Sequence, residues 1–128
     1  MADQTITETA LANGRIRYEL GRANWVNRRI PDIRQPGSTV QIPESRLIDV
    51  VILGDGYTAP ADFRAALAGW LAEFYRLPVY DLFAGAFRIR ALYTPSTEAA
   101  SADRHSYYGS SVNEGYSRFS PKVQANNG

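Results

Sequence analysis

Cysteine is absent from the 128 residues, and histidine occurs once, at position 105. The first absence excludes disulfides and thiolate sites, and it leaves the redox compartment unreadable from thiol usage. Both absences weigh against a zinc centre built from this chain alone. Such a centre needs three or four nitrogen, sulfur or carboxylate ligands, and no His-Glu-x-x-His or similar helical pair supplies two imidazoles. His105, in Asp103-Arg104-His105-Ser106, reads as a surface-loop residue, and no serine sits in a Gly-x-Ser-x-Gly elbow that would use it as a base. Excess charge is also lacking: 14 Lys and Arg against 13 Asp and Glu leave a formal +1, with the arginines spread along the chain. That balance gives no electrostatic footprint for a nucleic-acid backbone. Uninterrupted apolar runs such as Val50 to Leu53 stop far short of the roughly 20 residues of a membrane-spanning helix, so a soluble chain without a membrane partner is expected. The opening MADQTITETA has neither a basic n-region nor an apolar h-region, and no secretory signal is expected in it.

What is present suits one core. The length lies near the commonest size of a compact domain, and 45% hydrophobic with 21% charged residues is a globular composition. A single α/β domain is expected over 1–120, with a loose tail at 121–128. Within 1–30, Arg15-Ile16-Arg17-Tyr18-Glu19-Leu20 alternates with the period of a half-buried strand behind the turn-forming pair Asn13-Gly14, which predicts a hairpin. Pro31, Pro36, Gly37 and Pro43 make 31–45 an extended connection.

The core is expected over 46–94. Leu47 to Leu53 is a nearly continuous Val- and Ile-rich run, the pattern of a mid-sheet strand buried on both faces. Thr58 as cap, Pro60 in the first turn and Asp62 at the positive end of the dipole predict a helix start. Phe63, Leu67, Trp70, Leu71 and Phe74 then line one face, so Trp70 and Phe74 are expected in the core. Leu77-Pro78 ends the helix, and Phe87 to Tyr93 alternates as a second strand with Phe87, Ile89, Ala91 and Tyr93 on one face. Strand, helix and strand make a right-handed βαβ unit with parallel strands.

The turn Gly54-Asp55-Gly56-Tyr57-Thr58 leads from strand to helix N-terminus, a place where backbone N–H groups can hold an anion. Asp55 would repel one, and neither GxGxxG nor GxxxxGK[ST] spacing is present, which weighs against a nucleotide and leaves a structural turn and a functional loop both open. Asp49, Asp55, Asp81 and Glu98 are available in outline for a carboxylate pair, and Asp49 reads as exposed at the strand's start or bonded to an arginine. Tyr107, Tyr108, Tyr116 and Phe119 are candidates for a binding surface, or for the cover of a small core, in a polar region that predicts a late hairpin or ordered loop.

The run Val50-Val51-Ile52-Leu53-Gly54-Asp55-Gly56-Tyr57-Thr58, followed by Glu73-Phe74-Tyr75, Pro78-Val79-Tyr80, Phe87-Arg88-Ile89 and Thr94-Pro95-Ser96, resembles the IgA-peptidase-like family of zinc metallopeptidases over about residues 46–98. The resemblance implies a zincin-like α/β subdomain, the half that precedes a zinc-binding His-Glu-x-x-His helix. No residue of this chain takes those ligand or base positions, so no catalytic or metal role carries over. Asp55 and Tyr57 match the family's loop motif and are candidates for shaping a cleft. Zinc is implied only for a longer parent chain, and members of the family are often secreted. Two readings stay open. One is the scaffold half of a zinc peptidase, inert alone, with a peptide or protein partner or a homodimer through exposed sheet. The other is a stand-alone binding module presenting the tyrosine-rich 107–119 region.

Overall fold

The computed structural model describes residues 4–22, 28–97, 111–113 and 116–118. Four strands, β1 (Gln4–Ala10), β2 (Ile16–Arg22), β5 (Ile48–Gly54) and β6 (Phe87–Tyr93), form one sheet in the order β1-β2-β6-β5. β1 pairs with β2 and β2 with β6 antiparallel, whereas β5 and β6 run parallel in unbroken register from Ile48 opposite Phe87 to Gly54 opposite Tyr93. This is a mixed α/β sheet with one parallel pair. β3 (Arg29–Pro31) and β4 (Thr39–Gln41) form a separate ribbon, as do β7 (Ser111–Asn113) and β8 (Tyr116–Arg118).

The β1–β2 hairpin turns at Asn13 and Gly14, which hold φ of 62° and 74°, the left-handed pair that Asn-Gly adopts at little cost. The stretch expected to be a plain connection instead folds back on itself as the β3–β4 ribbon. Buried Arg28 fastens that ribbon, donating from Nη1 to the Phe87 carbonyl at 3.0 Å and from Nε to Glu44 at 3.1 Å.

Helix α1 (Pro60–Arg76) starts at Pro60 with Ala59 as its N-cap and no side-chain cap, one residue after the threonine expected there. Asp62 and Arg76 sit at the ends that suit their charges. Leu77, extended before Pro78, separates it from the short α2 (Pro78–Leu82). No helix among the described residues is long and apolar enough to cross a membrane.

The helix packs on the face carrying Tyr18, Leu20, Ile89, Ala91 and Tyr93, the alternation expected for Phe87 to Tyr93. Two packing expectations fail. Among the described residues β5 is an edge strand rather than a central one, with Val51 63% and Leu53 41% exposed on the uncovered side. Its apolar run says that it joins a sheet and does not say on which flank the hairpin docks; β2 chose β6. The buried helix stripe is Phe63, Leu67, Leu71 and Tyr75, while Trp70 remains 37% exposed and Phe74 only half-buried. The Arg64–Glu8 ion pair at 3.0 Å ties one flank of α1 to β1, so the opposite flank, with Trp70 and Phe74, overhangs the β5 side. There the rings stack: Trp70 on Phe74 at 5.0 Å and Phe74 on Tyr80 at 4.4 Å, with Phe87 edge-on at 5.3 Å.

Two outcomes follow. Leu71→Ala should cost about 3 kcal/mol because its site is closed on all sides, and Trp70→Ala about 1 kcal/mol, mainly a lost ring stack, both read from urea unfolding midpoints. Burial raises the phenols of Tyr18, Tyr75 and Tyr93 above the ordinary tyrosine value, with Glu8, Asp81 and Asp62 respectively adding to the shift. The folded state therefore holds those protons more tightly than the unfolded chain. Their contribution should be whole below about pH 10 and be lost as pH rises through the raised values, seen as alkaline unfolding by circular dichroism coupled to tyrosinate absorbance.

Candidate functional site

The C-terminal ends of β5 and β6 lie side by side, and each gives way to a loop, residues 54–59 and 94–97. In open α/β sheets, ligand crevices form outside this end of parallel strands. The two glycines of the first loop have separate structural causes. A Cβ on buried Gly54 would stand 2.9 Å from the Phe63 ring, so the close approach of strand and helix needs glycine. Gly56 holds φ of 82°, the left-handed region that side chains disfavour.

The loops are laced together. The Gly56 N–H donates to Ser96 Oγ at 3.3 Å, and the Ser96 N–H donates to the Tyr57 carbonyl at 3.4 Å. Thr94 and Ser96 are buried, and the Tyr57 ring leans on Phe63 at 5.2 Å. Pro95 reaches the hairpin tip, where a Cβ on Gly14 would meet its ring at 3.1 Å. Asp55 and Tyr57 thus occupy the rim of the strand ends, Asp55 half-buried, in company with Thr94 and Ser96. Those last two belong to the resemblance motif but carried no role in the sequence; their buried hydroxyls become informative only once the loops meet.

The candidate carboxylates among the described residues have separate surroundings. Asp49, exposed on the uncovered sheet face, receives two bonds from Arg88, at 2.6 and 3.0 Å, and this holds its carboxyl below the ordinary range. Asp81 pairs with buried Arg22 at 2.7 Å. Asp55 stands about 20 Å along the strand from Asp49, beyond the reach of a glycosidase pair. Glu98, His105, Tyr107, Tyr108, Phe119 and the tail lie outside the described residues, and Tyr116 begins β8. Among the described residues no group of three His, Cys, Asp or Glu side chains is placed to hold a metal.

A concavity of about 430 Å³ opens near the other end of the sheet, lined by Gln4, Arg22, Ala72, Tyr75, Arg76 and Asp81. Its most buried charge, the Arg22 guanidinium, lies 4.5 Å over the Tyr75 ring and is held by Asp81. That arrangement ties β2 to α1 and α2. In the sequence Arg22 is one arginine among many, and nothing local marks it.

No family model matches the chain, and no curated protein matches it significantly. The resemblance rests on the motif residues of the sequence.

If the loop residues serve the fold as described, Gly54→Ala and Gly56→Ala should each lower stability by about 1 kcal/mol or more, Gly54→Ala by ring clash and Gly56→Ala by backbone strain. Ser96→Ala should cost about 1 kcal/mol for the lost acceptor. Thermal melts of the three variants check this; unchanged melting would free the glycines from the structural role.

Proposed function

We propose that the β5–α1–β6 unit is the scaffold half of a zinc-peptidase-like protein, framing one wall of a cleft and performing no hydrolysis by itself. The observation that carries this reading is the lacing of Gly56 and Tyr57 to Ser96. It brings two separate pieces of the resemblance motif, the Gly-Asp-Gly-Tyr-Thr loop and Thr94-Pro95-Ser96, to one rim at the strand ends. Rims of this kind hold substrate-shaping residues in α/β proteins because the strands fix their backbone. In this reading Asp55 and Tyr57 are the rim residues assigned to shape the cleft.

Zinc does not fit the described residues, which offer no converging ligand set, so no step of hydrolysis is assigned to them. The general base and metal that such chemistry requires would come from a segment docking against this scaffold.

The test is incubation of the purified chain with a peptide library, with and without added zinc. No cleavage sensitive to EDTA is expected. Cleavage that EDTA abolishes and zinc restores would overturn the non-catalytic scaffold.

A further inference from the structure

Both margins of the four-stranded sheet lack a neighbour strand among the described residues, yet they are built differently. β1, Gln4-Thr5-Ile6-Thr7-Glu8-Thr9-Ala10, is a mostly polar edge of threonines with one charge, Glu8. β5, Ile48-Asp49-Val50-Val51-Ile52-Leu53-Gly54, is apolar instead, and like β1 it has no proline, no lysine, no bulge in its register and a single charge. That charge, Asp49, is matched by Arg88. Ile48 is 52% exposed, and with Val51, Leu53 and the overhanging Trp70 it gathers exposed apolar surface along this margin, on both faces of the strand.

The chemistry of the edge selects its occupant. With Asp49 neutralised, the seven-residue margin offers the outward N–H and C=O groups of alternate residues, framed by branched apolar side chains, and it fits a neutral apolar strand. β5 is itself such a strand. A two-fold axis normal to the sheet through Val51 would run two copies of β5 antiparallel, with Val51 opposite the partner's Val51 and Val50 opposite the partner's Ile52. Ile48 would then face the partner's Gly54, and Asp49 the partner's Leu53. Paired side chains point to the same face in such a ladder, so Val51 meets Val51 on the uncovered face and Val50 meets Ile52 on the other, while each Asp49 lies beside a Leu53 and keeps its own Arg88. The two Asp49 carboxylates would stand about 13 Å apart, four residues along the strand, so no like charges collide. Pairing β5 with β1 of another copy would set apolar side chains against threonine and glutamate and would not close.

We propose that this chain forms a two-fold dimer by antiparallel pairing of β5 with β5, giving a continuous eight-stranded sheet. The proposal depends on the β5 margin alone and stands apart from the scaffold reading.

The absence of native cysteine makes the test clean. Analytical ultracentrifugation of the chain should show a concentration-dependent doubling of the 14.2 kDa mass. Val51→Lys, at an exposed position that leaves the fold intact by circular dichroism, should lose the dimer, because two ammonium groups then meet on the axis. A mixture of Val51→Lys with Val51→Glu should regain it as a heterodimer. Under mild oxidation Val51→Cys should form a covalent dimer and Leu53→Cys, whose copies lie about 13 Å apart, should not. A monomer at every concentration tested, or a dimer unaffected by Val51→Lys, would overturn the proposal.

Discussion

Strand β6 is the member on which everything else hangs. It bonds to β5 through seven register pairs on one side and to β2 through five on the other. Its inward residues Ile89, Ala91 and Tyr93 form the floor on which α1 lies. Its first carbonyl holds Arg28 and with it the β3–β4 ribbon, and the residues just past its end hold the β5–α1 loop. Without β6 the hairpin and the strand–helix segment have no common sheet. Because its two partners run in opposite senses relative to it, the sheet is mixed.

That central position also explains the two ends of the molecule. At the C-terminal end of the parallel pair, two loops leave neighbouring strands, and their polar groups satisfy one another: Gly56 to Ser96, and Ser96 to Tyr57. At the other end the helix has passed back over the sheet, and Arg22 bridges strand and helices through Tyr75 and Asp81. The first end presents Asp55 and Tyr57 at a rim; the second closes a buried cation. A buried guanidinium needs both its charge and its desolvation answered, which Asp81 and the Tyr75 ring do together.

Much of the fold could be read locally. The Asn13-Gly14 turn, the strand-to-helix change at Gly54 to Pro60, the stop at Leu77-Pro78 and the alternation of Phe87 to Tyr93 are short-range signals set by φ preferences and side-chain period. The candidate rim was legible in half, since the Gly-Asp-Gly-Tyr-Thr loop announces itself while Thr94 and Ser96 look like ordinary loop residues until the loops meet. Trp70 was misplaced, and Phe74 packs only partly on the core, for a related reason. A helical wheel gives the width of an apolar stripe, and only the neighbours decide which edge of it hangs free.

The sequence by itself determined the hairpin, the strand–helix–strand unit, their order and its parallel crossover, though not the β3–β4 ribbon, because hydrophobic period, turn residues and proline act over a few positions. Tertiary structure alone decided that β5 lies at the margin, that Tyr75 rather than Trp70 completes the core, and that Asp49 rests on Arg88. Those outcomes depend on which flank of β6 the hairpin took, a choice made by contacts between residues tens of positions apart, which no local pattern encodes.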